Sequence, residues 1–331
     1  MSFAPVHIEE LSRTLAACHA ARRPVPIIDL SGLAGLREHT PADMTVTVEG
    51  GMNLAELQTV LTQRGQWLPI DPPHSSRLTI RQVLAENLSG PRRCGFGTIR
   101  EHLLGIEAVL ADGRVVHSGG KVVKNVAGYD LLKLFVGARD SLGIITAATF
   151  KLRPLPAAEE FLTADFATLE QAWAAVESVM DSPLSPVALD LDNLQLASGQ
   201  PFKFTLCITF AGSFEEVAWQ KTEAVKLGFS APHSTPAASL PPAVPLGPLP
   251  RDSAFWSGSA ASITSASVLT SKLAEALLPL GHTAFIARAA NGVFYHYAAP
   301  LPCPVATTPS PLASRLKDAF DPHHILPAMP L

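Results

Sequence analysis

The chain has 331 residues, 47% of them hydrophobic and 16% charged, with a formal net charge of −4, a length that accommodates two domains and ample buried core. That charge balance gives no electrostatic reason for a nucleic-acid partner, and no cluster of Lys and Arg suggests an anionic membrane surface. No run of about 18 apolar residues predicts a spanning helix, and the opening MSFAPVHIEELSRTL lacks a basic region followed by an apolar core, so the expected location is the cytoplasm.

Residues 7–22 carry Ile8, Leu11, Leu15 and Cys18 on one stripe, which predicts an amphipathic helix. A strand over 25–30 follows, punctuated by Pro24 and Pro26. Residues 45–49 alternate as a second strand, turned by Gly50-Gly51. Asn53, with Glu56 three residues on, caps a helix whose buried stripe is Leu54, Leu57, Val60 and Leu61; Gly65 stops it. Residues 68–74 form a rigid extended loop. Strands over 106–110 and 114–118 are joined at Asp112-Gly113, a hairpin signal.

The stretch from Gly119 to Thr146 holds five glycines, a Lys124-Asn125 pair, a Tyr129-Asp130 pair and the run Gly143-Ile144-Ile145-Thr146. Glycine serves where backbone takes a positive φ or lies against another flat surface. Glycines between an apolar helix over 131–136, capped by Asp130, and a buried strand over 144–152 fit main chain packed along a ligand. They fit a turn system serving only chain reversals equally well.

Past Arg153-Pro154-Leu155-Pro156 the pattern changes. Strands over 162–166, 187–191 and 204–210 alternate with helices over 169–180, where Thr168 and Gln171 make a capping box, and from Ser213-Glu216 to Gly228. The proline-rich residues 231–250 read as a surface loop or linker. A strand over 261–265 and a helix over 268–278 follow. Strands over 284–288 and 293–297 then form a hairpin, and a last helix spans 312–320. Arg288, Tyr295, His296 and Tyr297 fit either a substrate pocket or a packed edge strand. Cys18, Cys94, Cys207 and Cys303 show no C-x-x-C spacing, so neither a zinc site nor an iron–sulfur cluster is expected within the chain, and no metal ligands are assigned.

The segment KNVAGYDL (124–131) with its downstream LGIIT (142–146), together with ENLSGPRR (86–93) and Gly95 and Gly97, resembles the flavin-binding domain of the vanillyl-alcohol-oxidase or PCMH type. Within that group it is most similar to the small FAD-binding subunit of bacterial glycolate oxidase. The resemblance runs from about residue 27 to 156 and returns weakly at the C-terminus. It implies an α+β fold: a two-part PCMH-type FAD-binding domain over residues 1–155, then an α+β, ferredoxin-like cap domain over 156–331. It also implies non-covalent FAD held by Ser89, Gly90, Gly97, Lys124, Asn125, Gly128, Tyr129, Asp130, Gly143, Ile144 and Ile145. Arg92 and Arg93 are candidates for a carboxylate substrate or the electron-rich edge of a reduced flavin, or surface arginines bonded to loop carbonyls. His74 is a flavin-side candidate or a solvated loop residue, and no catalytic base is assigned.

The implied chemistry is hydride transfer from a 2-hydroxy acid of the glycolate type to the flavin, with electrons passing on to an iron–sulfur partner. The implied partners are a larger FAD-binding subunit and an iron–sulfur subunit, through which the chain would be peripheral to the inner membrane.

Four positions depart from the family pattern. The first glycine-rich loop, expected between Arg22 and Ser31, is missing. Arg81-Gln82 stand where two glycines are usual, and Arg81 there fits either a phosphate ligand or an exposed arginine. Ala138-Arg139-Asp140-Ser141 replaces a serine and a glycine. Leu326-Pro327-Ala328 replaces Asn-Pro-Gly. Two readings follow: an FAD-binding oxidoreductase subunit, or a flavin-free structural subunit derived from the same fold.

Overall fold

The computed structural model describes residues 2–120, 132–195, 201–231, 249–257, 263–297 and 310–330. The chain divides into two compact units, Met1–Ser89 with Thr98–Pro154 and Pro304–Leu331, and Gly90–Gly97 with Leu155–Cys303. The fold is α+β, and each unit is built on its own antiparallel sheet.

The first unit contains helices α1 (Ile8–Ala20), α2 (Leu54–Thr62) and α3 (Ile80–Ala85). The five strands of its main sheet are β1 (Leu36–Thr40), β2 (Thr45–Glu49), β3 (Leu103–Val109), β4 (Val115–Gly119) and β5 (Ile144–Lys151). They pair antiparallel in the order β1-β2-β5-β3-β4. Strand alternation sends Val46, Val48, Ile106, Ala108, Ala148 and Phe150 to one face. There they meet Leu54, Leu57 and Leu61 of α2 and Ile80, Val83 and Leu84 of α3 in one core. Each such large apolar side chain contributes about 1.5–3 kcal/mol on burial. A second core joins Leu11, Leu15 and Cys18 of α1 to Leu30, Val109 and Ile144.

Caps set the helix starts. The Asn53 side chain accepts from the amides of Ala55 (2.8 Å) and Glu56 (3.3 Å), and Thr79 with Gln82 forms a full capping box at α3.

The C-terminal helix, Pro311–Phe320, belongs to this unit and not to the following one: Leu316 and Phe320 pack on its core, and Phe320 meets Phe135 edge-on at 5.9 Å. Lys317 fastens it. Its buried ammonium donates to Asp321 Oδ2 (2.7 Å) and to the carbonyls of Pro327 (2.8 Å), Ser141 (2.9 Å) and Leu326 (3.3 Å). Asp321 also accepts from the amides of Ile325 (3.0 Å) and Leu326 (2.8 Å). Burial alone would raise the Asp321 carboxyl, but Lys317 and the two amides hold it below the ordinary carboxylate value.

The second unit carries β6 (Ala158–Phe166), α4 (Leu169–Met180), β7 (Ala188–Asp192), β8 (Phe204–Gly212), α5 (Phe214–Lys226), β9 (Thr264–Ser267), β10 (Phe285–Arg288) and β11 (Val293–His296). The sheet order is β6-β8-β7-β10-β11-β9. Its first part follows the ferredoxin-like βαββα sequence, with strand order β6-β8-β7 and an antiparallel bridge from Thr163 to Ser230 where a further strand would lie. One sheet face supplies Leu162, Leu189, Leu191, Leu206, Ile208 and Phe210 to a core shared with Leu169, Val176 and Val217 of the two helices. By alternation the opposite face carries Glu159, Asp190, Asp192, Thr205, Cys207 and Thr209.

Candidate cofactor site

In the first unit, Arg81 and Asp140 meet at the turn after β2. Gly50 and Gly51 are glycines because chain crosses chain there. A Cβ on Gly50 would stand 2.7 Å from the Ile145 carbonyl oxygen, and one on Gly51 would overlap the Leu30 carbonyl. Their amides are engaged: Gly50 donates to Thr146 O (2.7 Å) and Gly51 to Leu33 O (2.9 Å).

Arg81, in the first turn of α3, lies against this turn and donates its own amide to Gly50 O (2.8 Å). Its guanidinium is held on both edges. Nε donates to Asp140 Oδ1 (3.2 Å), Nη2 to Asp140 Oδ2 (2.7 Å), and Nη1 to the Ile28 carbonyl (2.8 Å). The two side chains are 16% and 17% exposed, so the pair is largely shielded from water. Asp140 reaches Arg81 from a loop in which Arg139 and Asp140 both take positive φ, 49° and 62°. That left-handed conformation is unusual for residues with a Cβ.

Ser89 is buried; its hydroxyl accepts from Ile99 N (3.2 Å) and its carbonyl from Asp71 N (2.9 Å). Gly90 and Gly97 have φ of 89° and 86°, which makes glycine the natural residue at both ends of the 90–97 loop. Gly143, Ile144 and Ile145 are packed within the unit. The two isoleucines are 1% exposed, and a Cβ on Gly143 would lie 2.9 Å from Val109 O. Lys124, Asn125, Gly128, Tyr129 and Asp130 lie outside the described residues.

The second unit has its own polar centre. Arg92, 1% exposed, grips Glu159 with both edges of its fork, Nε–Oε1 2.8 Å and Nη2–Oε2 2.9 Å. Such a bidentate pair has its carboxylate already in hand; Arg93 is half-buried on the same loop. Arg288 lies between two carboxylates, donating Nη1 to Asp190 Oδ2 (2.7 Å) and Nη2 to Asp252 Oδ1. It also lies 5.7 Å from the Tyr295 ring centroid. Arg251 pairs with Asp192, Nε to Oδ2 at 2.6 Å. Burial pushes the Asp190 carboxyl up to about 7 despite Arg288, and Asp190 Oδ1 is buried with no hydrogen-bond partner. Tyr295 and Tyr297 join Phe255 and Trp256, whereas His296 stacks on Phe294 and has both ring nitrogens buried and unpartnered.

Sequence reading named Arg288 and the two tyrosines but not Asp190, Asp192, Arg251 or Asp252. The available signal was a pair of acidic residues at alternate positions of an otherwise apolar strand (ALDLD), which demands cationic partners.

At the turn after β2 the backbone amides and the Arg81 guanidinium are already occupied by protein acceptors. A phosphate cradle is made of free backbone amides or a free cation. Here the amides of Gly50, Gly51, Ile80, Arg81, Arg139 and Ser141 all donate to protein carbonyls, and Arg81 is neutralised by Asp140.

A family model described as an FAD binding domain matches residues 25–119, a span that includes Ile28, Gly50, Gly51, Arg81 and Ser89. The chain is 32% identical over 248 residues to the glycolate oxidase subunit GlcE of Escherichia coli (strain K12), covering 71% of this chain and 70% of that protein. It is 30% identical over 253 residues to the glycolate oxidase subunit GlcD of Bacillus subtilis (strain 168), covering 67% of this chain but only 54% of that longer protein. A D-lactate dehydrogenase of Archaeoglobus fulgidus is 38% identical over 150 residues, 45% of this chain and 33% of its own length. The chain thus spans about half of the length of GlcD and less of the dehydrogenase. Among solved structures, alkyldihydroxyacetonephosphate synthase superposes with a TM-score of 0.73 over 98% of this chain and 75% of that one; at 17% identity this speaks for the fold alone. With an FAD-binding domain of the PCMH type, the chain belongs to the FAD-linked oxidoreductases of the glycolate oxidase and D-lactate dehydrogenase family.

Proposed function

We propose that this chain is a subunit of a 2-hydroxy-acid oxidase or dehydrogenase complex of the glycolate oxidase type, working beside a larger FAD-binding subunit and an iron–sulfur subunit. The observation that carries this reading is the 32% identity to GlcE over 71% of the chain and 70% of that relative. The reaction class is removal of hydride from the α-carbon of a 2-hydroxy acid, with electrons leaving to the iron–sulfur partner; FAD, where bound, supplies the hydride-accepting chemistry.

Assigning the iron–sulfur centre to a partner fits the thiols in view. Burial raises the Cys94 thiol to about 11 and raises Cys207 as well, the opposite of what a thiolate ligand needs. No group of three or more His, Cys, Asp or Glu among the described residues could hold a metal ion. Among those same residues no helix is long and apolar enough to cross a membrane. The reading puts the chain in the cytoplasm, attached to the inner membrane through its partners.

A second reading, a flavin-free structural subunit, is favoured by the closed Arg81–Asp140 pair. Both readings predict that the complex depends on this chain. Co-expression with a larger FAD-binding subunit and an iron–sulfur subunit should yield a co-purifying complex with glycolate-dependent dye reduction, and omitting this chain should abolish that activity. Full activity without it, or failure to co-purify, would remove the assignment.

A further inference from the structure

We propose that Asp140 is a built-in anion that occupies Arg81 in place of a cofactor diphosphate, so that this FAD-type domain is complete without FAD. The inference concerns what Arg81 binds and does not depend on which complex the chain joins.

Three observations converge. Arg81 presents Nε and Nη2 as a planar fork to the two oxygens of Asp140, at 3.2 and 2.7 Å. A guanidinium edge takes one such anion at a time, so a phosphate would have to displace the carboxylate. The remaining nitrogen, Nη1, is tied to Ile28 O at 2.8 Å, which pins the fork and leaves it no free swing toward a second ligand.

The two ends of the pair stand where the family resemblance implies small residues. A cation has entered at 81 and an anion at 140, and the two meet across 59 residues of chain. One substitution alone would leave a charge in a mostly buried position, which is strongly disfavoured; the two together cancel. The loop also accepts positive φ at both Arg139 and Asp140 to bring the carboxylate to Arg81. Nothing about a turn alone requires two consecutive non-glycine residues in that region.

Beside the pair, six backbone amides are already engaged. The amides of Gly50, Gly51, Ile80, Arg81, Arg139 and Ser141 are hydrogen-bonded within the protein. An external diphosphate therefore competes with an intramolecular anion already in position, whose effective concentration is high.

Isothermal titration of the full chain, purified from a host that makes no partner subunit, tests this with FAD and with inorganic pyrophosphate. The wild type is expected to be colourless as purified and to give no saturable heat with either. Asp140→Asn keeps an oxygen for Arg81 and removes the competing charge; it should bind pyrophosphate more tightly than wild type by about tenfold or more. The double variant Asp140→Asn/Arg81→Gln should lose that gain. Should Asp140→Asn fail to melt cooperatively, Asp140→Ser carries the same comparison. Stoichiometric FAD in the purified wild type, or equal pyrophosphate affinity with and without the Asp140 charge, overturns the proposal. Because the chain is assayed alone, either result leaves the co-purification test of the subunit assignment standing by itself.

Discussion

At the scale of single residues, the second unit holds more negative than positive charge around Arg288. Asp190 and Asp252 share one guanidinium, and Asp190 Oδ1 has no partner. Burial is the dominant influence on Asp190 and lifts it from its ordinary 3.8 to about 7. The folded protein then keeps a proton that the unfolded chain releases above about pH 4. Stability contributed by this group is therefore greatest in acid, falls as pH rises from about 4 towards 7, and levels off beyond that. Asp190→Asn is neutral throughout and leaves Arg288 its bond to Asp252. Urea melts of the variant at a series of pH values should show a flatter profile than wild type across that window and a relative gain at pH 8. An unchanged slope would mean that Asp190 is ionised in the fold.

Secondary-structure elements show which contacts depend on neighbours near in sequence and which on distant ones. The C-terminal helix is fastened by Lys317, whose Nζ reaches Asp321, Ser141, Leu326 and Pro327. Lys317→Met keeps the length and apolar stem but leaves the fully buried Asp321 without its cation. A loss of about 3 kcal/mol is expected, read from the midpoint of chemical denaturation at constant m-value. The helix itself was legible in the sequence, as were the Asn53, Thr168 and Ser213 caps and the Asp112-Gly113 hairpin, because each signal lies within a few residues. Strand β1 was not legible: Leu36–Thr40 is a polar edge strand with no buried side and carries no alternation. Nor was the grouping of the C-terminal helix with the first unit, which depends on Phe320 finding Phe135. At the candidate site, sequence marked Arg81 and Asp140 separately as departures. Their pairing spans 59 positions, and no local pattern encodes a contact at that separation.

On the scale of the whole molecule, part of the small complement of charge is used inside. Arg81–Asp140, Arg92–Glu159, Arg251–Asp192, Arg288 with its two aspartates, and Lys317–Asp321 are internal pairs. The surface correspondingly keeps large apolar side chains in water, among them Phe214 at 68%, Leu269 at 75% and Leu278 at 58% exposure. A ligand that binds only the folded state stabilises it by about 2.7 kcal/mol at a hundred times its Kd, which moves the melting temperature of a domain this size by several degrees, about 4–10 °C. If Asp140 already satisfies Arg81, millimolar FAD should leave the melting curve of the isolated chain where it was. The assembled complex should then release only the FAD carried by its larger subunit, counted by extraction against protein content. A shift on adding FAD to the chain alone, or one extra flavin per complex, would restore this domain as a cofactor-holding site and return Asp140 to a loop residue that the cofactor displaces.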